Sequence, residues 1–460
     1  MTASPPARSA PIGRSLLRHP DFLKLWSAET VSQFGTQISV LAVPLVAIVI
    51  LQASAFEVAL LGTVEFLPFI LLTLPAGVWV DRLRRRPMLI AGDLVRAVSL
   101  ASIPIAYELH ALTVWHLYLV GFVNGVATVF FDVAYQSYLP SLVERDQLID
   151  GNSKLEISRS GAQILGPGMA GVLIGWVTAP VAVIVDSVSY LASALFVVFI
   201  RRTETAPERH VDEHGRPRGG MRRETMDGLR YVLTQPYLRA IAFCTSASNL
   251  FSQLIFAILL VYLVRQLGVT PEVIGIVFSL GAVGFLLGAL VGSRIGTRLG
   301  VGRTIIAMGF LFGPPNLLVG LAPADNPLPF VVVGVFVAGF ADVVYNINQV
   351  SLRQAITPER MQGRMNATMR FLVWGTIPVG SLIGGVLGTT IGLRETILLG
   401  GILSMLPFLF VLFSPVRSLR TMPEPVDEAA ARASGALEPG ETDEGVLAVL
   451  HQPLARPDEG

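Results

Sequence analysis

Apolar runs of about twenty residues recur along most of this chain, and that recurrence limits what it can fold into. A bilayer-crossing helix needs about 20 mostly apolar residues, because lipid offers backbone N–H and C=O groups no partners. By that rule twelve spans are predicted, at 22–50, 56–80, 87–107, 113–138, 155–176, 180–200, 238–264, 272–293, 303–322, 328–354, 367–390 and 394–414. Only 15% of the 460 residues are charged and the mean hydropathy is +0.62, against about 25% charged in soluble domains. A soluble enzyme with one large core is therefore excluded. The net charge of +1 gives no reason to expect nucleic acid, because the charges are segregated rather than pooled on one face. The single cysteine, Cys244, excludes an intramolecular disulfide.

Arginines set the orientation, since basic loops stay inside. Arg8, Arg14, Arg18, Arg82, Arg84, Arg85 and Arg86 fall on one side, with Arg145, Arg201, Arg202, Arg294, Arg298, Arg303, Arg353, Arg360 and Arg364. Only Arg265 and Arg394 fall on the other. Both termini are expected in the cytoplasm, which an even number of spans satisfies. Residues 1–20 read as a cytoplasmic segment without a removable signal peptide. Six-span bundles at 21–200 and 238–414 flank a polar linker, 201–237, in which Met221 to Leu233 can form an amphipathic helix at the interface. Residues 415–460 are polar and rich in Pro, Ala and Glu, and are expected to be a disordered cytoplasmic tail. A multi-pass protein of the cell membrane, surrounded by lipid, is the expectation.

The loop between the second and third spans carries the densest charge. Gly77-Val78-Trp79-Val80-Asp81-Arg82-Leu83-Arg84-Arg85-Arg86 places one acid and four arginines between two apolar runs. Gly77 removes a side chain where a neighbouring helix can approach, and Asp81 sits at a helix end, within reach of basic groups. The pattern G-x-x-x-D-R-x-x-R-R resembles the signature loop of the major facilitator superfamily. There it is a cytoplasmic latch between two helical bundles, which implies gating roles for Gly77, Asp81, Arg82, Arg85 and Arg86. Arg84 stands where that signature has glycine. The segment Gly292 to Arg303 reads as a decayed copy of this loop, with Thr297 in place of the acid.

The two halves repeat. Asp132-Val133-Ala134-Tyr135-Gln136 echoes Asp342-Val343-Val344-Tyr345-Asn346, and an offset of 214 aligns Asn152 with Asn366, Gly161 with Gly375, Gly166 with Gly380 and Gly171 with Gly385. Such a repeat in a membrane protein points to pseudo-symmetric bundles. Phe22 to Gln37, Asp93 to Ala97, Leu139 to Gly171, Asp186 to Tyr190 and Arg360 to Asn366 together resemble the superfamily branch of the enterobactin exporter and macrolide efflux proteins. The resemblance implies an all-α fold of twelve transmembrane helices in two six-helix bundles, and secondary transport rather than enzymatic catalysis.

Ionisable groups inside a membrane cost about 2.5–3.5 kcal/mol on insertion scales and are default functional candidates. Glu65 lies in an otherwise apolar run and is the first choice for proton coupling; a carboxylate hydrogen-bonded to a neighbouring helix is the alternative. Asp132 and Asp342 hold equivalent places in the two halves and are read as proton-coupling, cavity or gate residues, or as partners of arginines. Asp93 and Arg96, three apart, can pair on one helix face, and with Asp186 are read as structural. Glu29 is placed near the cytoplasmic end of the first span. Glu156 and Arg370 align at the 214 offset and are expected either to bridge the bundles or to snorkel. Thr36, Gln37, Asn249, Gln253, Tyr345 and Asn346 are candidate cavity groups. Gly161, Gly166, Pro167 and Gly171 resemble the helix-five motif of antiporters, which favours export.

No phosphate-binding loop occurs, so direct ATP drive is unsupported. His110 and His116 have no third ligand nearby in sequence, and neither metal nor cofactor is expected. The expected partners are a small-molecule substrate and protons, and the expected state is a monomer. The reading is proton-coupled efflux of amphipathic molecules such as drugs, macrolides or siderophores by alternating access. The alternatives are proton-coupled import of a small metabolite, or a membrane sensor without transport.

Overall fold

The computed structural model describes residues 16–80, 83–143, 147–201 and 221–421. Its helices are α1 (Pro20–Leu45, continued by a π turn, Val46–Ile50), α2 (Ala55–Val80), α3 (Arg85–Glu108), α4 (Val114–Leu142), α5 (Leu148–Val177) and α6 (Ala179–Val198). Then follow α7 (Met221–Thr234), α8 (Pro236–Arg265), α9 (Pro271–Leu299), α10 (Val301–Phe310) and α11 (Pro314–Gly320). The last five are α12 (Leu328–Ala355), α13 (Glu359–Trp374), α14 (Thr376–Thr390), α15 (Leu393–Ser404) and α16 (Phe408–Leu412).

Among the described residues, eleven helical stretches are long and apolar enough to cross a membrane. The remaining predicted span, 303–322, is not one helix but the two pieces α10 and α11. Pro314 and Pro315 lack the N–H groups that would bond back to the Phe310 and Leu311 carbonyls, so the helix must break there. Asn316 Nδ2 takes up the freed Phe312 carbonyl at 2.8 Å. Pro378 interrupts the helix between α13 and α14 in the same way, and Asn249 Nδ2 from α8 donates to the Val373 carbonyl at 2.6 Å and to Thr376 Oγ1 at 2.9 Å. The segment read as a loop after α9 is also corrected: Gly292 to Leu299 are helical, and the turn is Gly300 with φ +91°.

The helices group into two compact units. One takes the described residues of 1–43 and 71–209, the other those of 44–70 and 210–460. In the first, α3 packs on α6 and α4. Gly35 lets α1 approach α6, since a methyl group there would stand 2.0 Å from Ser189 Oγ and 2.6 Å from Asp186 Oδ1. Gly166 of α5 meets α1, with Gln37 Cβ only 2.4 Å from where a methyl would sit.

The second unit repeats that contact. Gly380 of α14 faces α8, 2.4 Å from the Leu250 carbonyl oxygen and 3.0 Å from Gln253 Cβ by the same construction. The 214-residue offset thus carries through to packing: glycine on the fifth helix of each half receives a glutamine-bearing stretch of the first. Among the described residues, α9 packs along α12 over most of its length. Gly281, Gly284, Gly288, Gly292 and Gly296 line one face of α9, and a methyl at Gly284 would stand 2.1 Å from the Phe336 carbonyl oxygen. Close backbone approach of this kind gives membrane helices contact area where water supplies no driving force. The linker helix α7 is docked on α13, not only laid on a lipid surface. Gly228 fits against Thr368 and Arg364, Asp227 lies 3.6 Å from Arg364, and Tyr231 and Val232 are buried.

The two arginines that break the charge segregation both cap helix ends. Arg265 Nη2 donates to the Ile48 and Ala53 carbonyls at 3.1 and 2.7 Å, and Arg394 Nε to the Gly320 carbonyl at 2.9 Å. Carbonyls at a helix C-terminus favour a cation, which offsets the charge there. Arg265→Met strands two acceptors and is expected to destabilise the second unit by about 1–3 kcal/mol. A lower thermal unfolding temperature in detergent, with Arg265→Lys intermediate, is the readout.

Candidate functional site

A buried charge cluster occupies the first unit, built around Arg96. This residue is twelfth of the 24 in α3, so its guanidinium cannot reach either membrane surface and must find partners inside. Asp93, one turn earlier, supplies the charge: Arg96 Nη2 donates to Asp93 Oδ1 at 2.5 Å. Ser193 of α6 donates to Asp93 Oδ2 at 2.7 Å. The guanidinium lies between two rings, 4.1 Å from the Phe131 centroid and 4.2 Å from that of Tyr190. Desolvated cation–π contacts of this kind contribute about 2 kcal/mol. Tyr190 OH in turn bonds Thr36 Oγ1 of α1 at 2.8 Å. Four helices, α1, α3, α4 and α6, are tied to one cation.

Three more carboxyls surround it. Glu29, Asp132 and Asp186 join Asp93 within electrostatic reach of Arg96. Asp186 is buried and accepts from Ser189 Oγ at 3.1 Å. Asp132 sits on an exposed face of α4. Glu29 is 9% exposed; its Oε1 accepts from Gln33 Nε2 at 2.7 Å, while Oε2 is buried with no hydrogen-bond partner. The Tyr135 hydroxyl, on α4 four residues after the ring that covers Arg96, is also buried without a partner. One cation faces more acid than it can neutralise, and one carboxyl oxygen among these has no donor. A buried carboxylate oxygen without a donor is strongly disfavoured, whereas a carboxylic acid is tolerated.

The residues named from sequence are distributed differently. Glu65 is half-buried in α2 and groups with the second unit. Asp342 is exposed on α12, as Asp132 is on α4, so the repeat puts both acids on open helix faces. Thr36 and Asn249 are spent on interhelical bonds, Gln37 and Gln253 on the glycine crossings. Tyr345 is a correction: it is buried in the second unit's core, bonded to Thr245 Oγ1 at 2.8 Å and packed on Phe312, and does not line a cavity. Asn346 is exposed and accepts from Gln349 at 2.8 Å. Glu156 pairs with Arg159 at 2.9 Å, and Arg370 lies over the Trp374 ring at 5.0 Å. Nothing lies within 4 Å of a methyl at Gly161; Pro167 is inside α5 and Gly171 is buried. Gly77 lies in α2, Arg85 opens α3, and Arg86 Nε donates to the Val197 carbonyl at 3.2 Å. Asp81 and Arg82 fall outside the described residues.

Sequence reasoning named Arg96 and Asp93 as a pair but missed the cluster and the place of Glu29 in it. The signal was present: a lone arginine in the middle of an apolar run requires more than one partner, and Glu29 and Gln33 stand four apart.

Solved structures share this fold. A bacterial homologue of the iron transporter ferroportin, in an inward-facing state, superposes with TM-score 0.67 at 17% identity, covering 88% of this chain and all of that one. The nucleoside transporter NupG superposes with TM-score 0.70 at 12% identity, covering 85% and 99%. The membrane-crossing helices, together with a family match over most of the chain, make this a multi-pass transporter of the cell membrane in the major facilitator superfamily. Within it, residues 13–439 match the family described as "Transmembrane secretion effector", and the chain belongs to that family. Two relatives are efflux pumps. The multidrug efflux pump Tap of Mycolicibacterium fortuitum is 26% identical over 395 residues, covering 83% of this chain and 92% of that protein. Macrolide efflux protein A of Streptococcus pyogenes is 23% identical over 384 residues, covering 83% and 93%. The chain is thus a transporter of small molecules, not an enzyme.

Proposed function

We propose that this protein exports amphipathic small molecules in exchange for protons, and that Glu29 carries the proton. The observation behind this reading is the buried, donorless Oε2 of Glu29 beside the over-subscribed cation Arg96. A neutral Glu29 leaves Arg96 to Asp93; an ionised Glu29 competes for the same guanidinium. Loss of the proton therefore changes which helix holds Arg96, α3 alone or α1 with α3. That is a two-state element whose balance a proton can shift. Asp132, facing the cluster with an exposed carboxyl, is the exchange point with solvent or with a cationic substrate.

Export, rather than import, is supported by the two efflux relatives. The topology in this reading has twelve crossings, with α10 and α11 together forming the ninth and both chain ends in the cytoplasm, in a monomer. Glu65 and Asp342 are the alternative coupling acids. Comparison of two transport modes separates them from Glu29. Glu29→Gln is expected to retain downhill substrate exchange across proteoliposomes within about threefold of wild type, and to lose accumulation driven by a pH gradient. Intact pH-driven accumulation in Glu29→Gln, with its loss in Glu65→Gln or Asp342→Asn, would move the coupling site.

A further inference from the structure

We infer that α7 and α13 move as one two-helix lever in the second unit, turning at Gln235 and Gly375 against a base made of α8 and α14. Each hinge is a single residue. α13 ends at Trp374 and α14 begins at Thr376, with Gly375 between them. Pro378 has no N–H for the Trp374 carbonyl, so the backbone ladder is open there. Side chains close part of the gap: Asn249 Nδ2 and Thr376 Oγ1 both donate to the Val373 carbonyl, at 2.6 Å each. Side-chain donors of this kind follow a tilt that a continuous backbone ladder resists, and residues at element ends absorb the change in dihedral angle. α7 likewise ends at Thr234 and α8 begins at Pro236, joined by Gln235 in extended geometry (φ −79°, ψ 117°).

The contacts that hold the base and the lever differ in stiffness. α14 sits on α8 at backbone distance: methyl groups at Gly380 and Gly384 would stand 2.4 and 2.1 Å from the Leu250 and Leu254 carbonyl oxygens. α7 is fastened to α13 in a similar manner. A methyl at Gly228 would stand 2.6 Å from Thr368 Oγ1 and 3.0 Å from the Arg364 carbonyl oxygen, and Asp227 lies 3.6 Å from Arg364. Interfaces packed this closely shift as blocks rather than deform. Towards the core of the unit α13 presents Met361, Met365 and Met369, at a spacing of four. Methionine is unbranched and repacks readily. The seam between α13 and the core therefore yields before the seam between α13 and α7.

The full chain in lipid nanodiscs carries nitroxide labels in pairs, read by double electron–electron resonance at acid and alkaline pH, with and without a macrolide. Met226→Cys with Gly363→Cys measures α7 against α13. Gly363→Cys with Ser418→Cys measures α13 against the turn Pro415–Ser418, which packs on α8 and α10. Met226 and Ser418 are exposed, a methyl at Gly363 meets nothing within 4 Å, and the native Cys244 is buried. A swing of about 15° at Gly375 moves Gly363, about 18 Å along the helix, by roughly 5 Å. A shift of that size between conditions is expected in the Gly363–Ser418 pair, while the Met226–Gly363 pair keeps one peak. Pro378→Ala restores the missing donor and is expected to reduce the shift to less than about half. Gly228→Val is expected to broaden the Met226–Gly363 peak and leave the other shift in place. Four results would overturn the lever: a Met226–Gly363 distance that shifts as far as Gly363–Ser418, a Gly363–Ser418 distance that is the same in every condition, a full shift in folded Pro378→Ala, or an unchanged Met226–Gly363 peak in Gly228→Val.

Discussion

Arg96→Met is expected to cost about 3–5 kcal/mol of stability and to end transport, because it leaves Asp93 charged and buried without its partner. The expected size follows from geometry. Asp93 is fully buried and Arg96 is 4% exposed, so no water can take over from the lost guanidinium. The two ring contacts and the ties from α1, α4 and α6 are lost with it. Thermal unfolding in detergent and efflux from cells together separate the two effects. Adding Asp93→Asn to Arg96→Met removes the stranded charge, so most of the lost unfolding temperature should return while transport does not. A single variant with wild-type stability and efflux would contradict the picture of Arg96 as the hub of the first unit.

Gly284→Val carries the second large effect, and it acts on folding alone. The added carbon collides with backbone, not with a side chain that can rotate away: the Phe336 carbonyl oxygen lies 2.1 Å, its carbonyl carbon 2.9 Å and its Cα 3.1 Å from the new atom. Overpacking of a tight core costs about 1–3 kcal/mol where neighbours can yield, and here they belong to the backbone-close α9–α12 pair. Low yield and an aggregated size-exclusion profile are expected. Gly161→Ala is the paired control, since nothing stands within 4 Å of the added methyl, and it should behave as wild type. Similar behaviour of the two variants would show that the α9–α12 contact is not set by its glycines.

These two positions mark where sequence reading reached and where it stopped. The apolar runs located the membrane helices to within a few residues at most ends, because lipid forces every crossing to be helical and long. α5 and α9 run further than predicted, since a helix continues past the apolar stretch once its polar turns are in water. The Pro314-Pro315 break was visible as letters but lost in a twenty-residue average. The offset of 214 predicted equivalent places for Gly166 and Gly380, and each meets a glutamine on the first helix of its own half, Gln37 and Gln253. Depth was legible; rotation was not. Glu29 and Glu65 are both single acids in apolar runs, and only packing shows that Glu29 is buried, with its Oε1 on Gln33, while Glu65 is half-buried. Tyr345 was misread for the same reason, as its ring turns into the core.

The most direct test of proton-coupled export is proton movement in inside-out vesicles with an acid interior, on addition of a macrolide or a cationic dye. Exchange of bath substrate for lumenal protons predicts substrate-triggered alkalinisation of the lumen by wild type, and none by Glu29→Gln. Substrate accumulation by wild type without any change in lumenal pH would contradict the coupling.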